Sequence, residues 1–551
     1  MTPDPRTEAG SRAAVALAAA VAAHSEGDLG LAITGYREAG EAGSRDGWFQ
    51  LGAVLHDRGE YVEAVEAYGR AADLGDLEAR LNIADLLAHE LDRLDEGIAL
   101  YRAIAREGDK RGLTGLGTLF LELGRRSEAE PLFREAISAG EAHAHLQLGL
   151  LLHEDGHTED ALVELRRAAE LGVEGAWSSL AFGFAGLDRS EDALQALRAA
   201  IAAGEGEAYA PLGEVLGEMG RYDEAEEIFE EALEKGRTDV FVEYGNLLVE
   251  LEGRDEDAEM LYRRAIEQCG ESGDKEDLAY ALLHRARFFG ELGRVDEALD
   301  EFARLNEHIS ASYDGELRRY GAEAAASRGW LLHGVGRYEE ALVAYDEAIH
   351  LARGSDDPWL RLQVVAALHR KGLSLRALER YGEAVEIVAE VIDGFSDDPP
   401  PKGLPEVAGA WLLSVRLACD LGQEDRAISM YDRLIARFGD EVAERVRETV
   451  GRARLSRAEL LGRDGDTDEA IAGCNEVLTG IDAQDEFCMR VIRAMALGDR
   501  GHWLHKAGRH DEAMASFRAV LDGFEEGQDP DIDAALTRAR LYRRIYRERC
   551  P

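Results

Sequence analysis

Residues 45–75 read RDGWFQLGAVLHDRGEYVEAVEAYGRAADLG. Trp48, Leu51, Gly52 and Leu55 recur three and four apart, so they share one stripe of a helix. Gly59 interrupts that helix. Tyr61, Ala64, Tyr68 and Ala71 make a second stripe, which Gly75 closes. The stretch therefore predicts two short helices folded against each other. The same text returns at 205–236, with Tyr209, Leu212, Gly213 and Leu216, then Gly220, then Tyr222, Ala225, Phe229 and Ala232, and Gly236 at the end. A unit that recurs at a fixed period decides the fold before any single element does.

The small residue early in each second helix sets the register. It falls at Ala32, Ala64, Gly97, Ala129, Ala161, Ala193, Ala225 and Ala258, in steps of 32 or 33. After one step of 40 the series resumes at Ala298, Ala341, Ala384, Ala427, Ala470 and Ala513, in steps of 43. Fourteen helix pairs follow: eight short ones over 1–270 and six long ones over 271–528, with 529–551 left as a C-terminal capping helix. EQCGESGDKED at 267–277 marks the junction. In the long half the spacing from turn glycine to Ala stays at five, as in Gly293 to Ala298. The added residues therefore belong at the far ends of the helices and in the loops, and 441–463 reads as one long first helix. Pro399, Pro400, Pro401 and Pro405 read as a stiff loop between pairs.

These residues resemble the tetratricopeptide repeat family. Its signature is an aromatic–x2–Leu–Gly–x2–aromatic/Leu helix, a Gly turn, and then Ala–x3–aromatic–x2–Ala. The resemblance covers nearly the whole chain, and the long-period half is similar to variant repeats of some bacterial regulators and of the kinesin light chain. It implies an all-α, right-handed superhelical solenoid of stacked helix-turn-helix repeats. Repeat ends that often carry Pro in the family carry Gly75, Gly108, Gly140, Gly172, Gly204 and Gly236 here, and Gly suits a left-handed helix C-cap. Gly52, Gly117, Gly149, Gly213 and Gly245 are placed for two helices to cross closely, and the small residue of the second helix is expected to meet them from the other side. One pair cannot bury its own stripe, so pairs must stack.

Composition narrows the function. In 551 residues, 110 Asp and Glu stand against 63 Lys and Arg, a formal net charge of −47. That argues against gripping nucleic acid or an anionic membrane, because phosphate binding needs positive charge. The longest uncharged apolar run, Ala13 to Ala23, is 11 residues, against ~20 for a membrane span. Five scattered cysteines give neither a disulfide framework nor a Cys-x-x-Cys pair, which fits a reducing cytoplasm. Arg over Lys, 57 to 6, together with abundant Ala, is the composition of a GC-rich bacterial genome.

No constellation for catalysis is visible. His153-Glu154-Asp155-Gly156-His157 matches H-E-x-x-H, but that motif works only on one continuous helix, and Gly156 occupies the turn of its repeat. His502, His505 and His510 crowd around the turn Gly508 and read as surface histidines. A phosphate loop and a nucleophile elbow are both missing. The expectation is no enzyme, no metal and no cofactor.

In the family the first helices line a concave groove that selects the ligand. Carried over residue by residue, this implies a partner-binding face of Phe49, His56, Leu81, Asp85, Leu146, Leu150, Phe182, Glu207, Glu214, Glu218 and Asn246. Residues 1–270 hold 25 basic and 56 acidic side chains, a net of −31, and 201–250 alone holds 14 acids against 3 bases. Such a face would steer a basic or amphipathic protein or peptide segment. In the long half, Arg285, Arg328, Lys371, Arg457 and Arg500 recur on the 43-residue step, with Ser414 in the remaining place. They either pair with acids on neighbouring helices or line a pocket for an anionic ligand. The last stretch carries Arg538, Arg540, Arg543, Arg544, Arg547 and Arg549 beside Leu541, Tyr542, Ile545 and Tyr546. It is either a cap or a segment for docking into an acidic groove, in the same chain or a second copy. The expected function is a non-enzymatic interaction scaffold or adaptor. The alternative is a regulatory sensor whose long-repeat half binds a peptide or small ligand and changes partner binding.

Overall fold

A computed structural model describes residues 5–187, 189–251, 253–309, 315–400, 402–441, 443–481, 487–527 and 529–549, with the side chains of 5–11, 271–272, 444 and 545–549 left outside that description. Among the described residues there are 29 α-helices, one short 3-10 turn and no strand. They form two compact units, Met1–Glu250 and Leu251–Pro551.

In the first unit each helix packs on the next in the chain. Arg45–Asp57 lies on Tyr61–Asp73, which lies on Leu77–His89, and first helices of successive pairs also touch. The second unit repeats the scheme with longer first helices. Lys275–Glu291, Gly315–Gly334, Pro358–Ala377, Leu404–Asp420, Glu444–Asp464 and Phe487–Lys506 run 17 to 21 residues, against 9 to 13 from Arg45–Asp57 to Phe241–Val249. Second helices hold at 13 to 15 from Val295–Ile309 to His510–Gly523. The longer period is therefore spent mainly on the first helices, and 441–463 falls largely inside one of them, as expected. Pro405 stands in the first turn of Leu404–Asp420, after a loop containing Pro399 and Pro400; Pro401 lies outside the described residues.

The register residues mark the tightest part of the stack. Every alanine of the series, from Ala32 to Ala513, is 0 % exposed. Where Gly97 replaces Ala, a Cβ would stand 2.8 Å from the Ala84 carbonyl oxygen, so this face of the second helix does approach the first helix backbone. The crossing glycine of the first helix, however, faces a different residue from the one expected. Four residues past the small one, a large side chain fills the space over it. A Cβ on Gly213 would lie 2.2 Å from the Phe229 ring. On Gly117 it would lie 2.5 Å from Phe133, on Gly329 2.6 Å from Tyr345, and on Gly501 2.5 Å from Phe517. Leu165 over Gly149 and Val388 over Gly372 repeat the arrangement with aliphatic groups. In every case the partners are sixteen residues apart in the chain, in short and long repeats alike.

The turn between the two helices of a pair uses a left-handed residue, which Gly adopts without strain. Gly156 has φ +80°, so the helix His143–Glu154 ends before it and His157 caps the next helix, Thr158–Glu170. The two histidines of H-E-x-x-H are thus on different elements. After the turn, an Arg commonly precedes the second helix and pairs with an acid three residues on. Examples are Arg125–Glu128 at 2.7 Å, Arg221–Glu224 at 2.7 Å and Arg337–Glu340 at 2.6 Å. Several also reach the preceding pair, as Arg294 does to Glu259 at 2.6 Å. These exposed pairs register neighbours more than they stabilise, since exposed ion pairs contribute little each.

Gly213→Leu should drive four carbons into the Phe229 ring, and overpacking of this kind costs ~1–3 kcal/mol or more. Thermal unfolding of the full chain should show a clear loss for Gly213→Leu and almost none for the exposed Glu227→Gln. Equal melting temperatures would place the crossing elsewhere.

Candidate partner-binding faces

The first helices of the first unit distribute the implied groove residues unevenly. Phe49 is half-buried, its ring edge-on to Tyr68 at 5.5 Å, and Leu81 is half-buried against the core. Leu146 is buried at 7 % exposure, so it belongs to the packing more than to a face. Asp85 is exposed and accepts a hydrogen bond from the Tyr101 hydroxyl, whose pKa is pushed up first by burial and then by that carboxylate. His56 is exposed beside Tyr61, and Asn246 is half-buried. Two apolar groups do face solvent. Phe182 is 69 % exposed with the His153 ring edge-on at 5.5 Å, and Leu150 is 38 % exposed.

The acidic stretch also divides. Glu214 and Glu218 are one turn apart on the exposed side of Tyr209–Glu218. Glu207 is not on that helix. It lies in the 3-10 turn Gly206–Ala208, because the chain closes a tighter turn there, with the Ala208 amide donating to the Glu205 carbonyl. Its charge is felt by Arg237, which follows the second helix of the pair and lies against the same turn. Glu214 keeps contact with solvent yet has enough protein around it that its carboxyl is raised, first by desolvation and then by the charge of Glu218. Among the described residues no ion pair or hydrogen bond takes up either carboxylate. That sets them apart from the acids at the turns, whose arginines hold them below the usual carboxylate range.

The basic series of the second unit points into the stack. Arg285 meets the buried Glu301 at 2.8 Å, Arg328 meets Glu347, Lys371 meets Asp346 at 2.6 Å, and Arg457 meets Asp432 at 2.6 Å. Arg500 donates to the Ser516 hydroxyl at 2.9 Å and the Asn475 amide oxygen at 3.2 Å. All these partners are on second helices. The helix Pro530–Arg549 packs on both helices of the last pair, burying Ile532, Ala535, Leu536 and Ala539. Tyr542 stacks on Phe517 at 4.8 Å and its hydroxyl lies 2.9 Å from His502 Nδ1. Arg538 pairs with Asp499, and Arg540 with Glu526. The side chains of Ile545, Tyr546, Arg547 and Arg549 lie outside the described residues.

Reading the 43-residue step two positions further on gives Arg287, Trp330, Leu373, Arg416, Glu459 and His502. Sequence reasoning stopped at the paired rungs and missed this row. Its first members line an open cavity of about 510 Å³ between Lys275–Glu291, Gly315–Gly334 and Pro358–Ala377. Trp330 is 51 % exposed there, and the Arg370 guanidinium lies 5.3 Å over its ring. Nearby, His284 is packed against Tyr280 at 4.3 Å. Burial, followed by the charge of Arg287, lowers its pKa to about 4.

The tetratricopeptide repeat family matches residues 114–176 and 207–238, which coincide with helix pairs of the first unit. Anaphase-promoting complex subunit 5 matches 250–316 and 318–371. None of the curated proteins matches the sequence. Solved structures similar to this chain include yeast Tom70, at 13% identity and TM-score 0.41, covering 82% of this chain and 96% of that one. Another is the anaphase-promoting complex hetero-tetramer Cut9–Hcn1, at 14% identity and TM-score 0.37, covering 97% and 98%. A third is a tetratricopeptide repeat protein of Parabacteroides merdae, at 16% identity and TM-score 0.35, covering 47% and 98%.

The His284 shift fixes a sign. A histidine held neutral in the fold contributes stability that is complete above its ordinary value of ~6.5 and is lost as pH falls toward its folded value. Between pH 7 and pH 5 the second unit should lose about 2 kcal/mol through this group. The loss should be absent in His284→Gln, and the ring should titrate below pH 5 by NMR. A midpoint near 6.5 would contradict the assignment.

Proposed function

We propose that this chain, two stretches of which match the tetratricopeptide repeat family, is a non-enzymatic scaffold whose first unit holds a basic or amphipathic segment of another protein along its first helices. Helix pairs of this family provide interaction surfaces, and that general role is the ground on which the finer reading stands. The observation that carries it is the pair Glu214 and Glu218. In a chain where arginines are threaded through nearly every turn, these two carboxylates have no ion pair or hydrogen bond among the described residues, and Glu214 is partly desolvated before any partner arrives. A cation docking there gains charge pairing and relieves an existing penalty. Phe182 and Leu150, on first helices one and two pairs earlier, offer an apolar complement for the other face of an amphipathic segment. The basic series from Arg285 to Arg500 has no part in this reading, because its members end on acceptors within their own stack.

Association with a partner captured by the intact chain should slow as salt rises, since attraction between exposed charges is screened over a Debye length of ~8 Å at physiological ionic strength. Reversing Glu214 and Glu218 to Lys should weaken binding far more than reversing Glu230 and Glu234, which are exposed on the second helix of the same pair. Phe182→Ala should speed dissociation with little effect on the salt slope. Equal losses from the two reversals, with no salt dependence, would reduce the acidity to a solubilising surface.

A further inference from the structure

A cavity in the second unit differs in kind from the acidic pair of the first. The cavity beside Trp330 has a floor of Ala286, Leu331 and Phe302, the last only 2 % exposed. Gly290 and Gly334 open it. A Cβ on Gly334 would meet nothing within 4 Å. Its volume of about 510 Å³ falls in the ~300–1,000 Å³ range of small-molecule sites. Trp330 forms one wall. The His333 ring lies nearly parallel to the indole, at 6° and 5.5 Å, and its Nδ1 is 2.8 Å from the Ser374 hydroxyl, so both rings are fixed in place. Burial lowers the pKa of His333.

Charge is arranged on this apolar shelf in a specific way. Arg287 is engaged by Glu323 at 2.5 Å and by Ser327. Arg370 is held over the Trp330 ring, and its nearest carboxylate, Glu406, stands 3.7 Å away, beyond hydrogen-bonding reach. Glu406 is instead bound to His369 at 2.6 Å. Among the described residues no hydrogen bond takes up the Arg370 guanidinium donors. A guanidinium flattened on an indole keeps its edge free to meet a carboxylate bidentately. Glu291 is the acid among the residues lining the cavity.

We infer that this cavity binds a small organic acid with an aromatic or branched apolar body, the body resting on Trp330 and the carboxylate meeting Arg370. The apolar floor excludes strongly hydrated anions such as phosphate. The one guanidinium whose donors make no hydrogen bond among the described residues favours one carboxylate, and the acid Glu291 in the lining disfavours a second.

Calorimetric titration of the full chain with 1-naphthaleneacetate, and with its neutral isostere 1-naphthaleneacetamide, tests this. The acid should bind at one saturable site about 10-fold or more tighter than the amide, the difference a charge-assisted pair supplies. Arg370→Gln should bring the two compounds close together while retaining the amide's affinity. Gly334→Leu puts an aliphatic side chain into open space at the lining of the cavity and should abolish binding of both, with circular dichroism confirming that the chain is folded. The inference is overturned by acid and amide binding equally, by absence of saturable binding at millimolar concentration, or by binding that survives Gly334→Leu.

Discussion

A ring laid against a residue with no side chain sets the distance between the two helices of a pair, and the rest of the stack follows from it. Phe229 over Gly213, Phe133 over Gly117, Tyr345 over Gly329 and Phe517 over Gly501 put a large apolar surface where the helix axes are closest. On the adjacent stripe the register alanines are wholly buried. Burying so large a group against a glycine gives these hairpins a large apolar area in one contact. The remaining stripe of each pair has nothing in its own hairpin to cover it, so the next pair must. The sixteen-residue separation survives the change of period from 32 to 43 because the change lies outside the crossing, mainly in the longer first helices.

Most of this was legible in the residues themselves. Periodicity is a property of the one-dimensional text, so the helix pairs, the turn glycines and the buried alanines could all be read from spacing. The identity of the residue facing each glycine could not. The series of small residues pointed to Ala225 as the partner of Gly213, but a helical side chain leans toward the N-terminus, so Phe229, one turn further on, covers that spot. Exposure was harder still. Leu146 and Phe182 look alike as groove residues in the sequence, yet one is packed and the other stands in solvent. Glu207 was read with Glu214 because a tight 3-10 turn leaves no mark in the hydrophobic pattern.

Charge shows the same division. The basic series from Arg285 to Arg500 was conspicuous because it repeats, and its rungs are taken up by second helices, of the same pair for Arg285 and Arg328 and of the preceding pair for Lys371 and Arg457. The side chains with recognition capacity left over are those outside the repeated contacts: Glu214 and Glu218 in the first unit, Arg370 and Trp330 in the second. A strict repeat spends its polar groups on its neighbours, so departures from the repeat are where a partner or ligand finds an unmatched group. The acidic net charge then acts as a long-range field over such sites and not as a site in itself.

The dependence of the stack on the ring–glycine contact is tested most directly by a double-mutant cycle at Gly213 and Phe229, read by hydrogen-exchange protection of the helix Tyr222–Glu234 in the full chain. Gly213→Ala should lower protection substantially when Phe229 is present, because its Cβ would lie 2.2 Å from the ring. In a Phe229→Ala background the same substitution should cost almost nothing, giving a coupling of about 1 kcal/mol or more. Costs that add independently, within ~0.3–0.5 kcal/mol, would contradict the account.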